Sequence, residues 1–228
     1  MTQKAFPRII PFALFMSFIA IEQTAVVLRS KGWLPLEAAT LTWLYPLKAL
    51  AVALALFLLR KHYDEWRFKD FRRLGHTALS IGVGALIFFL WIHMDCPVLS
   101  PSPPPGYNPD LIEDSTLRIV LIGSRLFGAV LVVPVMEELF WRSFLLRYLI
   151  DKDFGQVAVG LFTWPSFLIT ALLFGLEHHY ILAGVMAGFA FNLLLYHTRS
   201  IAQCTLSHAV ANLALGIYVL QGSRWHFW

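Results

Sequence analysis

Residues 117–142 of the chain read LRIVLIGSRLFGAVLVVPVMEELFWR, an apolar run that ends in two adjacent glutamates and an arginine. A membrane-spanning helix needs about 20 mostly apolar residues. Leu117–Met136 meets that requirement, although it contains Arg125. An ionised side chain in hydrocarbon costs at least ~2.5 kcal/mol, so each charge here needs a structural or functional reason. The stretch therefore predicts a membrane helix whose charged side chains have structural or functional roles.

Comparable apolar runs occur on both sides of this stretch. The long runs are Ile9–Leu28, Ala39–Leu59, Gly75–Met94 and Ile201–Leu220, and the shorter ones are Glu138–Ile150, Phe162–Leu176 and Ile181–Tyr196. Only helices and closed barrels satisfy their backbone groups inside lipid, and runs of this length favour helices. We predict an all-α polytopic bundle of seven or eight membrane helices. No repeat or composition break divides the chain, so we expect one membrane-embedded domain of residues 1–228.

The overall composition agrees with this class. The 228 residues are 58% hydrophobic and only 14% charged, whereas soluble domains carry about 25% charged residues. This excludes a soluble or disordered chain, and two cysteines exclude a disulfide scaffold. The net charge of +4 does not indicate a nucleic-acid partner, because basic residues of membrane proteins usually set orientation. The partner that composition predicts is the lipid bilayer.

Two loops predict the orientation of the chain. Residues 60–73 hold six basic and three acidic side chains, whereas residues 95–116 hold four acidic side chains and no Lys or Arg. By the positive-inside rule the first loop is cytoplasmic and the second lies outside. Lys4 and Arg8 then place the N-terminus in the cytoplasm.

The first polar cluster is formed by Glu137, Glu138 and Arg142. Adjacent residues of a helix point about 100° apart, so the two glutamates can face different partners. Glu138 precedes Arg142 by four residues, which is the favourable order for an ion pair. That pairing would leave Glu137 directed elsewhere. The alternative is a solvated helix end at the membrane surface, where glutamates near the N-terminus suit the macrodipole.

Two further clusters contain histidines. One is Phe174-Gly175-Leu176-Glu177-His178-His179, at the end of a short apolar run, and the other places His208 and Asn212 on one face of the last span. Each has a structural alternative, as an interfacial histidine or as polar contacts between helices. Together with Glu137 they supply a carboxylate and an imidazole that can activate water. A second imidazole and an amide can donate to an oxyanion. These groups suffice to hydrolyse an amide without a covalent intermediate.

The three motifs resemble those of a known family. Glu137-Glu138-x-x-x-Arg142, Phe174-x-x-x-His178 and His208-x-x-x-Asn212 occur in the order found in the CAAX protease and bacteriocin-processing enzyme family, the intramembrane glutamic proteases that include the Ras-converting CAAX endopeptidases. They lie inside an expected catalytic core of residues 117–220. A bacterial branch of this family, linked to exosortase systems, has sequences that resemble three further parts of the chain. These are residues 137–142, residues 162–170 and the Phe-Trp terminus.

The resemblance implies a role for each matching residue. Glu137 would be the general base, His178 would position the water, and His208 with Asn212 would form the oxyanion site. The supporting residues would be Glu138, Arg142 and Phe174, with Glu138 either structural or a second acidic partner. His179 has no counterpart in the motifs and could substitute for His178 in a variant.

The resemblance also implies an activity and a location. We expect an intramembrane endopeptidase that cleaves near the C-terminus of a membrane-anchored peptide or protein, without a cofactor or metal. The exosortase-type branch implies a bacterial inner membrane and a sorting system as partner. The membrane excludes bulk water, so the site needs a cavity, which we expect to open toward the cytoplasm.

Two other functions stay open at this point. A metal-dependent membrane protease would use acid and imidazole ligands, but no His-Glu-x-x-His occurs, and Cys96 and Cys204 lie too far apart in the predicted topology to form a ligand pair. A non-proteolytic scaffold or immunity protein would keep the fold without cleavage. A transporter is disfavoured, because it would show inverted repeats with interrupted helices.

Overall fold

A computed structural model describes residues 4–94 and 106–228, and every regular element within these two ranges is helical. The predicted all-α class is confirmed. The main helices are α1 (Phe6–Ser30), α2 (Ala38–Thr42), α3 (Leu44–Leu59), α4 (Leu74–His93), α5 (Ser115–Phe127), α6 (Val133–Glu138), α7 (Leu146–Tyr148), α8 (Trp164–Glu177), α9 (Ile181–Thr198) and α10 (Ile201–Gly222).

Six helical segments of the described chain are long and apolar enough to cross a membrane. They are Phe6–Ser30, Ala39–His62, Leu74–His93, Ser115–Tyr148, Ile181–Thr198 and Ile201–Gly222, and Trp164–Glu177 is a shorter apolar helix. The protein is therefore an integral membrane protein with a polytopic helical bundle, as its composition predicts. Residues 95–105, which include Cys96 and the proline-rich part of the predicted outer loop, lie outside the described ranges.

The segment Ser115–Tyr148 differs from the prediction. We expected a break at Met136, but α5, α6 and α7 are joined by π-helical turns at Gly128–Val132 and Leu139–Leu145 into one continuous helix. The helix begins at Ser115, and the side chain of the preceding residue, Asp114, accepts a hydrogen bond from the Leu117 N–H. The charges of Glu137, Glu138 and Arg142 do not end it because all three side chains are buried inside the bundle, where Glu138 is paired with Arg142.

The predicted run Ala39–Leu59 falls within one candidate span, Ala39–His62. A turn at Trp43 separates α2 from α3 inside this span. Elsewhere α8 packs along α9, and α10 packs along α4. Gly84 allows α4 and α10 to pack closely, because a Cβ at this position would collide with the Ser207 carbonyl oxygen and with Val210.

One end of the bundle is tied together by Arg8. Its guanidinium donates to both carboxylate oxygens of Glu65, at 2.7 and 2.6 Å, and to Ser143 at 3.0 Å. Burial raises the pKa of Glu65, but the hydrogen bonds and charge of Arg8 outweigh it and leave that pKa below its usual value. We call this the basic end, because the basic loop 60–73 and the N-terminal segment meet there.

The other end of the bundle is formed around the C-terminal segment. The Tyr107 N–H donates to the Trp228 carbonyl oxygen at 3.1 Å, next to the start of α5. Helix α10 begins beside the basic end, where Ser200 donates to Asp70 at 2.6 Å, and it runs for 22 residues to Gly222. At 1.5 Å per residue the two ends are roughly 33 Å apart. We call the second one the C-terminal end.

Candidate active site

The structure brings the four predicted catalytic residues to a single cavity. Glu137, His178, His208 and Asn212 all line it, although they come from α6, the end of α8 and α10. Its volume is about 300 Å³. This is the lower end of the range for ligand pockets, and it corresponds to roughly ten water molecules at liquid density. The predicted convergence is therefore observed, whereas the role of each residue is a separate question.

Glu137 is buried, with 4% of its surface exposed. Its Oε2 lies 4.0 Å from the His208 Nε2 and accepts no hydrogen bond from the described residues. The carboxylate thus faces the cavity beside an imidazole, deep in the helix Ser115–Tyr148. The alternative of a solvated helix end at the membrane surface does not hold.

Glu138 has a different environment from its neighbour. Its Oε1 accepts from the Arg142 Nη1 at 3.1 Å and lies 3.1 Å from the His208 Nδ1. Arg142 is 1% exposed, stacks 4.4 Å over the Phe174 ring and donates to Asn192 at 3.3 Å. The expected ion pair is observed, and its charges lie behind the cavity wall. Because Glu138 holds Nδ1, the other ring nitrogen of His208 faces Glu137.

His178 is oriented by its own helix. It is the first residue after α8, with an extended backbone, and its Nδ1 lies 2.7 Å from the Phe174 carbonyl oxygen. A carbonyl only accepts hydrogen bonds, so Nδ1 carries the proton and Nε2 keeps its lone pair. The Trp91 and Phe174 rings lie 5.4 and 4.7 Å from the imidazole. His179 also lines the cavity, so its ability to replace His178 stays a prediction.

Asn212 is held by an irregularity of the neighbouring helix. In the first π turn the Val133 N–H bonds to the Gly128 carbonyl, five residues back. The next bond in this register would run from residue 134 to Ala129, but Pro134 has no N–H. The Asn212 Nδ2 donates to the Ala129 carbonyl at 2.7 Å instead. One N–H of the amide remains for the cavity.

Sequence reasoning assigned no role to Glu177, which also lines the cavity. Its Oε2 accepts from the Trp141 Nε1 at 3.0 Å. The available signal was a glutamate at the end of an apolar run, next to His178. Its partner lies 36 positions away, so the sequence could not show that the carboxylate is held inside the site.

The cavity extends in an unexpected direction. Besides the site residues, Tyr45, Arg125, Phe227 and Trp228 line it, so it runs from Glu137 toward the C-terminal end. We expected it to open toward the cytoplasm and expected the basic end to be cytoplasmic as well. These two expectations are incompatible, because the basic end lies on the other side of the bundle. At most one of the two can hold, and both stay predictions.

A metal-binding arrangement was the other alternative. Within residues 4–94 and 106–228, no group of three or more His, Cys, Asp or Glu side chains is placed to hold a metal ion.

The fold and the site define a class of protein: a helical membrane protein with a cavity lined by carboxylates, imidazoles and an amide. The family comparison is more specific. Residues 119–214 match the family model described as Rce1-like, type II CAAX prenyl endopeptidase Rce1-like, and this region contains all three motifs. The match covers less than half of the chain and agrees with the family that the three motifs resemble. It supports peptidase activity in the membrane. No curated protein and no solved structure matches the chain in the comparisons made.

Proposed function

We propose that the protein is an intramembrane endopeptidase that hydrolyses a peptide bond near the C-terminus of a membrane-associated protein, with water activated by Glu137. The observation that carries this proposal is the contrast between two adjacent carboxylates. Glu138 is paired with Arg142, whereas Glu137 faces the cavity 4.0 Å from the His208 Nε2 with its Oε2 unbonded. An unpaired buried carboxylate is costly, and a role as general base accounts for it.

Water activation needs two acceptors. In the proposed step Glu137 takes one proton from the water, and the lone pair of the His178 Nε2 accepts a hydrogen bond from the other O–H. The water oxygen bonds to the scissile carbonyl carbon, and the carbonyl electron pair moves onto its oxygen. The Phe174 ring packs against both imidazoles, with its centre 6.2 Å from that of His208 and 4.7 Å from that of His178.

The resulting oxyanion needs donors. Asn212 offers its second amide N–H, since the first is bonded to Ala129. His208 offers Nε2, but Nδ1–H already faces Glu138. The ring can donate from both nitrogens only as an imidazolium, so the proposal requires that form, with the carboxylates of Glu137 and Glu138 beside it. When the C–N bond breaks, the leaving amine takes the proton held by Glu137. Glu177 is a second carboxyl group that could deliver it.

The test uses a pool of lipid-anchored peptides randomised at the last residues, in nanodiscs, with products read by mass spectrometry. Removing the general base in Glu137→Gln should lower the rate roughly 10²–10⁴-fold. Asn212→Ala should lower it roughly 10²–10³-fold, as expected for one oxyanion donor. The matched control is His197→Ala, an exposed histidine outside the cavity. It should leave the rate unchanged.

Three results would contradict the proposal. If Glu137→Gln keeps more than about a tenth of the rate, Glu137 is not the base. If the folded wild-type protein cleaves no peptide of the pool, the non-proteolytic scaffold or immunity role is favoured. Loss of activity with a chelator and recovery with zinc would favour the metal-dependent alternative. The single domain of residues 1–228, the cytoplasmic N-terminus, the bacterial inner membrane and the exosortase-type partner stay predictions.

A further inference from the structure

Arg125 occupies the wall of the cavity away from Glu137. It belongs to α5, and its guanidinium carbon lies 4.2 Å from the Tyr45 ring centre and 5.5 Å from that of Tyr107. Arg125 and Tyr45 both line the cavity. The guanidinium is therefore supported by aromatic rings on the path from Glu137 to the C-terminal end of the bundle.

The charge of Arg125 is not neutralised by the described residues. No carboxylate of residues 4–94 or 106–228 lies within 4.0 Å of the guanidinium, and its Nε is buried without a hydrogen-bond partner. Lys48 provides the contrast, because it lies in the same part of the bundle and is paired with Glu22 at 3.4 Å. The Tyr45 ring stabilises the cation and its hydroxyl group also hydrogen-bonds to the guanidinium, which leaves the Nε–H of Arg125 free. The guanidinium thus has no carboxylate partner among the described residues.

The separation of Arg125 from Glu137 suits a short peptide. Twelve positions of one continuous helix separate them, which corresponds to roughly 18 Å at 1.5 Å per residue and slightly less through the π turn. An extended peptide advances about 3.3 Å per residue, so about five residues cover that length. If the C-terminal carboxylate of a peptide contacts Arg125, a peptide bond a few residues before the C-terminus would lie beside Glu137.

We propose that Arg125, supported by Tyr45 and Tyr107, binds the free C-terminal carboxylate of the peptide substrate and thereby fixes how far from the chain end the bond is cut. This inference rests on the proposed peptidase function. A guanidinium suits the task because it binds a carboxylate through two parallel N–H donors, which an ammonium group does not offer.

The experiment compares two peptide pools that differ only at the C-terminus, one as free acids and one as amides, with the same lipid anchor and random positions. The wild-type protein should cleave the acid pool at least tenfold faster. Arg125→Gln should bring the acid-to-amide ratio close to one, and Arg125→Lys should give an intermediate ratio. Because the ratio is internal to each variant, it does not depend on the fraction of protein that folds.

The matched control is Arg118→Gln. Arg118 lies on the same helix, and its guanidinium donates to the Ile112 carbonyl at 3.1 and 2.8 Å, outside the cavity. This variant removes the same charge from the same end of the bundle and should keep the wild-type ratio. Equal cleavage of both pools by the wild type overturns the inference, as does an acid preference that survives in Arg125→Gln.

A binding measurement distinguishes failure of this inference from failure of the proposed function. If no pool is cleaved, the peptidase proposal fails, and the affinity of the wild type for the two pools decides about Arg125. A tenfold preference for acids that is lost in Arg125→Gln supports the carboxylate site, and equal or undetectable binding overturns it.

A lipid phosphate is the other anion to consider. If exchanging phosphatidylglycerol for phosphatidylcholine shifts the melting temperature only when Arg125 is present, without any acid preference, the ligand is the lipid and the inference is wrong.

Discussion

Replacing Glu138 by glutamine tests whether this carboxylate stabilises the site while its neighbour performs the chemistry. Glu138 is 0% exposed and lies 3.1 Å from both Arg142 and His208. Glutamine keeps the shape but leaves the buried guanidinium without its counter-charge. Breaking a buried ion pair in this way costs about 3–5 kcal/mol. For a chain of this size each kcal/mol shifts the melting temperature by about 2–4 °C, so a decrease of roughly 6–20 °C is expected.

The matched variant is Glu137→Gln at the adjacent position. The Glu137 Oε2 has no hydrogen-bond partner among the described residues, so stability should stay within about 1 kcal/mol of wild type. The assay is thermal unfolding of the detergent-solubilised proteins, followed by circular dichroism at one scan rate. Combining Glu138→Gln with Arg142→Met should recover part of the loss, since the neutral pair leaves no unpaired charge. If both glutamine variants shift the melting temperature equally, the division of roles is wrong.

Two further predictions concern helix packing. Gly84→Ala should lower stability by about 1–3 kcal/mol, because its Cβ would collide with the backbone of α10, whereas Gly82→Ala on the same helix has open space and should not; equal melting temperatures would contradict this. Asn212→Ala should cost about 1 kcal/mol by removing the hydrogen bond to the Ala129 carbonyl. The cost should be smaller in a Pro134→Ala background, where a new N–H can take that carbonyl, and an equal cost in both backgrounds would show that the proline is not the reason for the contact.

The sequence predicted the helices better than their ends. Hydropathy located the six candidate spans of the described residues, because the lipid requires long apolar runs whatever the packing. It wrongly ended one of them at Met136, because hydropathy counts Glu137 and Glu138 as breaks. In the structure both are buried, one paired and one facing the cavity. Their burial depends on contacts across the bundle, which a local pattern does not contain.

The same distinction applies to the site. Spacing along one helix predicted the ion pair between Glu138 and Arg142, since four residues bring side chains together on any helix. The contact of Glu138 with His208 joins residues 70 positions apart, which local spacing cannot predict. Only the family resemblance left open a role for Glu138 as a second acidic partner. Glu22 and Lys48 interrupt different predicted spans, and the structure pairs them with each other. That pairing leaves Arg125 as the charge that needs another explanation.

The two π turns explain why periodicity alone could not assign the faces of the long helix. Each π turn adds one residue to the helical path, so all later side chains are rotated by about 100° relative to a continuous α-helix. Faces assigned from Leu117 onward are therefore displaced beyond Gly128, and again beyond Leu139. The first turn also provides the Ala129 carbonyl that holds Asn212. The irregular backbone thus connects α6, which carries Glu137, to α10, which carries the proposed oxyanion donors, and a regular helix with the same side chains would lack this contact.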